Sequence, residues 1–505
     1  VTAAFDFAQF KSLYDAGTAQ VVAETLVADL ETPVSVYLKL GNGRPFSFLL
    51  ESVEGGEVRG RYSIIGGNPD LIWRCFGAKA EINRQAASNL DQFTAEMRPS
   101  LDSFRDLLAE SRIDLPIDLP PMAAGLVGYF GYDIVRQMEH LPNVPPDPLG
   151  LPDGIFARPT LMAIFDSVKD ALVLVTPVRP APDVTAEIAY ARARARLDDA
   201  MALLEKPVVV DPGTSDPFAE LPEPVSNTPK ARYFEMIAKA KEYIAAGDIF
   251  QAVPSQRFST PFNLPSFALY RALRRMNPSP FLYHLDMGAF SIVGSSPEIL
   301  VRLRDGKVTI RPIAGTKPRG RTPEEDRALE AELLADPKER AEHLMLLDLG
   351  RNDVGRVARI GSVNVTEQFV VERYSHVMHI VSNVEGEVAP SMDAISALIA
   401  GFPAGTVSGA PKVRAMEIID ELEMEKRGIY AGGVGYFSAN GSMDTAIVLR
   451  TALVKDGMMY VQAGGGVVYD SDPETEFQET RNKARALIRA AEEAVRFAGL
   501  PKRGQ

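Results

Sequence analysis

The chain has 505 residues, 46% hydrophobic and 24% charged, with a formal net charge of −13 and a single cysteine, Cys75. That length exceeds what one core of ordinary size encloses, so two lobes or one large composite domain is expected. The negative balance argues against nucleic acid and anionic membrane as main partners, since both reward excess Lys and Arg, and one cysteine forms no intrachain disulfide, which points to a reducing compartment. The opening VTAAFDFAQFKSLYDAG lacks a basic stretch followed by a long apolar one, and no apolar run reaches spanning length. A cytoplasmic protein is expected.

In chain order, the first half mixes short apolar runs such as VSVYLKL and ALVLVTPV with turn signals such as GNGRP and GGNPD. That pattern predicts antiparallel strands with interspersed helices. A seam follows at Glu205–Lys230, where six prolines (207, 212, 217, 222, 224, 229) remove donors and favour an extended surface connector. Asn227-Thr228-Pro229 opens a helix with Phe234, Ile237 and Ile244 on one face, and Gly247 is its expected stop. The run IFQAVPSQRF reads as a strand. Thr322-Pro323-Glu324-Glu325 and Asp336-Pro337-Lys338-Glu339 are capping boxes with proline at the first helical position. Ser391, Pro411 and Asp472-Pro473 mark three further helix starts. Between them FLYHLD, SIVG, IYAGGVGYF, AIVLRTALV and MMYVQAGGGVV read as strands. Strands and helices do not alternate strictly, so an α+β architecture is expected rather than a doubly wound sheet.

Several groupings could carry chemistry. Arg311–Gly320, RPIAGTKPRG, combines two glycines, a threonine hydroxyl and three fixed cations, and looks suited to an anion. Glu339 and Glu342 are three apart, as are Glu476 and Glu479, so each pair can project from one helical face. Two such faces brought together would make an all-oxygen site suited to Mg²⁺; equally, they could be solvated faces, with Glu339 closing its capping box. GFPAGTVSGAPKVR and QAGGGVVYD expose backbone N–H groups where glycine permits close ligand approach, or merely join strands. His376 and His379, three apart in RYSHVMHIVSNVEG, point to opposite faces of a strand, which argues against a paired metal site and leaves room for one general base or for a buried structural imidazole. Arg450 in AIVLRT sits among apolar neighbours, either as a ligand anchor or in an internal salt bridge.

The segments GSSPEIL, RPIAGT, ERAEHLMLLDLGRND, YSHVMHIVSNVEG, FPAGTVSGAPK, GGVGYF, IVLRT, QAGGGVV and ETRNKA occur in the order found in chorismate-utilising enzymes, a resemblance that spans Pro229–Leu500. Before the seam, LLES (Leu49–Ser52), RYSIIG (Arg61–Gly66) and AAGLVGYFGYD (Ala123–Asp133) resemble the large subunits of anthranilate synthases. The resemblance implies two antiparallel sheets packed as a sandwich with surrounding helices, divided into an N-terminal lobe (1–210) and a chorismate-binding catalytic domain (228–505). It implies Mg²⁺ on Glu342 and Glu479, supported by Glu339 and Glu476, and chorismate contacts from Gly315, Thr316, Tyr430, Arg450, Gly464, Gly465, Gly466 and Lys483. Glu298 matches the acid that protonates the departing C4 hydroxyl; His379 matches the base that takes the C2 proton, with Thr406 beside it.

By the same resemblance Ala314 stands where aminodeoxychorismate synthases carry a lysine nucleophile, and Gln251 where water-adding relatives carry a lysine base. Alanine closes the covalent route, and glutamine cannot deprotonate water, so ammonia is the implied nucleophile. With no nucleophilic Cys and His pair, the ammonia would come from a separate glutamine amidotransferase subunit. LLES with Ser52, and NPSPFL with Pro280, Phe281 and Leu282, match a tryptophan feedback pocket, or else pack the lobes together. Phe281 stands where tyrosine is common, Pro254 interrupts a usually aliphatic strand, and Gly465 replaces a frequent alanine. The alternatives are an aminodeoxychorismate synthase component and a non-catalytic regulator that binds tryptophan or chorismate.

Overall fold

Helix starts follow their caps. The computed structural model describes residues 6–54, 58–209, 221–374 and 377–498, and places eleven α-helices among them. Helix Pro323–Ala335 begins where the Thr322 hydroxyl accepts the Glu325 N–H, while the Glu325 carboxylate accepts the N–H of Arg321, one residue before the cap. Asp336 caps helix Pro337–Gly355 by accepting from Lys338 and Glu339. Asp472 accepts the Thr475 N–H at 2.9 Å and opens helix Pro473–Ala498. Helix Lys230–Ala245 follows Pro229, and its chain turns at Gly247 as expected.

Two expectations fail for identifiable reasons. VSVYLKL forms part of helix Pro33–Leu40 rather than a strand: Thr32 and Ser35 make a reciprocal capping box, and Pro33, Val36, Tyr37 and Leu40 share the buried face. The helix from Ser391 instead spans Ala394–Gly401, because Asp393 supplies the acceptor to the Ser396 N–H at 2.7 Å. A carboxylate at a helix N-terminus adds a favourable charge to the cap bond.

The strands are antiparallel and form one hydrogen-bonded network of 21 among the described residues, plus the two-stranded pair Gln251–Ala252 with Gly409–Ala410. Period-2 alternation divides their side chains between an inner core and two outer helix layers. Along strand Val58–Phe76, Ile64 and Ile72 enter an inner core with Tyr129, Ile155, Ile292 and Val434. Ile65 turns outward into the layer that holds Tyr37, Leu197, Leu269 and Leu487. Trp73 turns to a second outer layer with Phe104, Leu347 and Leu398. This is a strand sandwich faced on both sides by helices. Strands from before and after the proline-rich connector pair directly: Phe48–Glu54 with Phe281–Asp286, and Gly125–Phe130 with Gly433–Ser438. The connector residues 210–220 lie outside the described residues.

Three strand expectations are refined. GGNPD lies inside strand Val58–Phe76, where the register shifts between Pro69 and Leu71. IFQAVPSQRF divides at Val253-Pro254 into Gln251–Ala252 and Ser255–Pro261, since proline offers no ladder donor. AIVLRTALV divides into the end of Met443–Ile447 and the start of Thr451–Lys455. Arg450 therefore lies in the link between strands, at φ +47°, rather than within one. Among the described residues no helix is long and apolar enough to cross a membrane.

Candidate active site

Strand register places the residues expected to act as acid and base. Strand Ile313–Pro318 pairs with Val377–Glu387, Thr316 opposite His379, with a register shift between Ala314 and Thr316. Gly315 takes φ +71° at that irregularity, a conformation other residues adopt only with strain. Its carbonyl thereby meets His379 Nδ1 at 3.0 Å, with the Thr316 hydroxyl also at 3.0 Å. A carbonyl only accepts, so Nδ1 carries the proton and Nε2 keeps its lone pair. Burial, with a smaller push from Arg450, lowers the imidazole to about 4, so it is neutral at physiological pH. His376 lies outside the described residues.

Glu298 follows strand Ser291–Ser296 and is 4% exposed. Its Oε1 accepts from Thr406 Oγ1 at 2.9 Å and from the Ile313 N–H at 3.4 Å. Burial raises its carboxyl to about 8, despite the opposing pull of Thr406, Ile313 and Arg450. A neutral carboxylic acid and a neutral imidazole thus flank one arginine. Among the described residues the Arg450 guanidinium makes no side-chain hydrogen bond or ion pair, and burial lowers its pKa. An anion is the partner such a cation lacks.

The four glutamates converge from two helices. Burial raises the Glu339 carboxyl, helped by repulsion from Glu342. Burial raises Glu342 too, and Glu479 on the other helix adds to the effect. Although Asp336 caps the helix, the Glu339 side chain does not return to close a capping box; its carboxylate lies against Gly315. Glu476 is buried, accepts from Ser471 Oγ at 2.7 Å, and has an Oε2 with no hydrogen-bond partner. Glu479 pairs with Lys483 at 2.7 Å, and Lys483 donates to the Gly464 carbonyl at 2.9 Å. No group of three or more His, Cys, Asp or Glu side chains among the described residues stands ready to hold an ion unaided.

Gln251 completes this rim. Its Nε2 lies 3.5 Å from Glu342 Oε1, and its buried Oε1 has no partner. Strand Met458–Gly464 delivers the glycines: a Cβ on Gly465 would stand 2.8 Å from Glu476 Oε2, and one on Gly466 only 2.3 Å from Gln251 Nε2. Gly466→Ala is accordingly expected to displace the Gln251 amide, and a misplacement of about 1 Å at such a site costs up to about 100-fold. Steady-state turnover should show kcat/KM falling by about 10- to 100-fold; a normal value would mean the Gln251 amide plays no part.

Tyr430 is buried, which raises its hydroxyl to about 12, and the Gly464 amide bonds to that oxygen. Beneath it lies a pair that sequence reasoning did not single out, Glu423 and Arg427, joined at 2.6 Å. Arg427 also donates to the carbonyls of Val407 at 2.7 Å and Val253 at 2.6 Å, tying together the segments that carry Thr406, Gln251 and Tyr430. The i,i+4 spacing was the available signal. The cations of RPIAGTKPRG, by contrast, are paired with carboxylates outside the acid, base and glutamate cluster. Arg311 meets Glu367 at 2.8 Å and Glu372 at 2.5 Å, Lys317 meets Glu332 at 2.5 Å, and Arg319 meets Asp326 at 2.9 Å. Only the Gly315 and Thr316 portion of that stretch joins the site.

Ser52, Pro280, Phe281 and Leu282 line one cavity of about 550 Å³, separate from the glutamates. At its edge the buried Glu51 accepts from Arg274 at 2.5 and 2.8 Å and from the Tyr270 hydroxyl at 2.5 Å.

This chain belongs to the chorismate binding enzymes, whose family model matches residues 48–489. Within them it is 60% identical to anthranilate synthase component 1 of Cereibacter sphaeroides over 494 residues, 97% of this chain and 98% of the relative. It is 50% identical to the component 1 protein of Pseudomonas putida over 474 residues, 93% of this chain and 94% of that one. Its fold matches the crystal structure of anthranilate synthase component I from Streptococcus pneumoniae with a TM-score of 0.74 at 36% identity, covering 92% of this chain and 98% of that chain.

Proposed function

We propose that this chain is the chorismate-aminating subunit of an anthranilate synthase. Ammonia adds at C2 of chorismate, the C4 hydroxyl leaves as water, and loss of the C2 proton with pyruvate yields the aromatic anthranilate. The observation that carries this reading is the pairing of a buried neutral Glu298 with a buried neutral His379 around Arg450, which has no ion-pair partner among the described residues.

Each residue then has one task. Glu298 donates its proton to the departing C4 oxygen, and Thr406 holds that carboxyl in place. Arg450 and Tyr430 take the enolpyruvyl carboxylate, with the amides of Gly464, Gly465 and Gly466 beside it. His379 Nε2 accepts the C2 proton, while Gly315 and Thr316 fix the ring from the Nδ1 side. Ala314 presents no amine, and Gln251, with its unsatisfied carbonyl oxygen, can accept a hydrogen bond from ammonia without needing to act as a base.

The donor set suits Mg²⁺. The orphaned Glu476 oxygen and the repulsion between Glu342 and Glu479 both favour a cation between the helices. Two carboxylates completed by water and substrate oxygens are typical for this ion, so the lack of a closed three-ligand group is no obstacle. Glu342 and Glu479 would hold it, Glu339 and Glu476 would support them, and its charge would offset the ring carboxylate of a dianionic substrate. Glu479 would exchange its bond with Lys483 for the ion.

Ammonia comes from a glutamine amidotransferase partner in this reading, because the one cysteine, Cys75, is buried and its thiol is pushed well above the usual range. The 550 Å³ cavity at Ser52 and Phe281 takes tryptophan as a feedback inhibitor. The site of action is the cytoplasm. Purified chain given chorismate, Mg²⁺ and ammonium at alkaline pH should generate the blue fluorescence of anthranilate, and EDTA should abolish it. Glutamine should replace ammonium only with the partner present; turnover with glutamine alone would contradict the subunit assignment.

A further inference from the structure

The cavity that presents Ser52 and Phe281 on one wall presents Tyr374, Glu372 and Ile313 on another. Tyr374 is buried, and its ring meets the His379 imidazole edge-on with centroids 5.5 Å apart. It also lies near the Arg450 guanidinium. Two bonds to side chains fasten it: its hydroxyl donates to Glu372 Oε2 at 2.8 Å, and the Tyr374 carbonyl accepts from Arg319 at 2.7 Å, while Glu372 Oε1 in turn accepts from Arg311 at 2.5 Å. A ring that merely filled space would need no such anchor to a charged pair. Tyr374 is instead a partition, with the cavity on one side and the base and the anion-binding arginine on the other.

With the catalytic roles set out above as its footing, we propose that Tyr374 is a positioning residue for His379 and Arg450, and that an occupant of the cavity acts on the reacting centre through this ring. The ring keeps water from the imidazole and limits where its Nε2 points. The hydroxyl couples the ring to Glu372 and Arg311, which line the cavity. Ile313 gives the same wall a second link, since its N–H donates to Glu298, but that contact is backbone and tolerates side-chain change.

The test compares the parent chain, Tyr374→Phe and Tyr374→Leu in ammonia-dependent turnover, alongside calorimetric binding of tryptophan. Tyr374→Leu should lower kcat at least tenfold with a smaller change in KM, and Tyr374→Phe, which restores the ring, should recover at least fivefold of that loss. In Tyr374→Phe the dissociation constant of tryptophan should stay within about twofold of the parent value, while the concentration that halves turnover rises at least tenfold. A leucine variant with the parent kcat overturns the positioning role. A phenylalanine variant whose inhibition still tracks its tryptophan binding overturns the coupling, and so does a parent chain that binds no tryptophan. Should the leucine variant fail to fold, the ratio of inhibition to binding in the phenylalanine variant decides alone. A parent chain that makes no anthranilate from chorismate and ammonium counts against the catalytic reading itself, an outcome the variants cannot mimic.

Discussion

Glu298→Gln is expected to give a chain that folds more firmly than the parent and yet aminates chorismate about 10²–10⁴-fold more slowly, the range a positioned general acid contributes. Glutamine preserves the shape of the side chain, and its carbonyl oxygen can still accept from Thr406 and the Ile313 N–H. What it lacks is a proton to give the leaving hydroxyl. The stability gain follows from the raised carboxyl: burial lifts it to about 8 from an ordinary 4.5, so between those values the folded chain holds a proton that the unfolded chain has released. Folding stability therefore declines as pH rises through that window. By pH 7 the accumulated cost is roughly 3 kcal/mol, since each pH step of one within the window costs about 1.4 kcal/mol. Glutamine bears none of it. Chemical denaturation should show the variant ahead at pH 7 and level with the parent at pH 4, while parent turnover falls above pH 8 as the acid ionises. A variant that does not gain on the parent between pH 4 and pH 7 would mean Glu298 is ionised in the folded chain and cannot be the acid.

His379→Met is the second large effect. Here the expectation is a separation of steps. Ammonia addition and loss of water need no base on the C2 side, so chorismate should still be consumed. The C2 proton then has no acceptor, and anthranilate formation should fall about 10²–10⁴-fold. Chromatography should reveal an aminated ring that still carries its enolpyruvyl group, with little free pyruvate. Equal loss of chorismate consumption and anthranilate would argue that His379 only supports the fold. The parent imidazole, held at about 4 by burial and by Arg450, stays neutral above that pH, so the base should not limit turnover between pH 5 and 8.

Elements with strong local signals were legible without any tertiary information. The caps at Thr322, Asp336 and Asp472 start helices where the side-chain acceptor and the proline dictate. The strands FLYHLD and ALVLVTPV and the order of the nine motifs were equally local. Failures occurred where two local signals competed. VSVYLKL alternates like a strand, yet its capping box and the i,i+3,i+4 spacing of its larger apolar residues won once a helix-covered sheet face was there to receive them. In RPIAGTKPRG the charges suggested a ligand, but carboxylates from the following helix Pro323–Ala335 and from strand Asn364–Arg373 reached them first.

By itself the sequence determined the chemical inventory: which glutamates recur at helical spacing, which glycines cluster, and that no amine stands at Ala314. Those are properties of residue type and spacing, set by covalent order. Tertiary structure alone decided which of these groups meet, and in what protonation state. Glu298 and His379 become a neutral carboxyl and a neutral imidazole because packing strips water from both, and desolvation depends on neighbours drawn from hundreds of residues away. The Gly315 irregularity that selects the His379 tautomer, and the Tyr374 partition beside it, arise from strand register and burial.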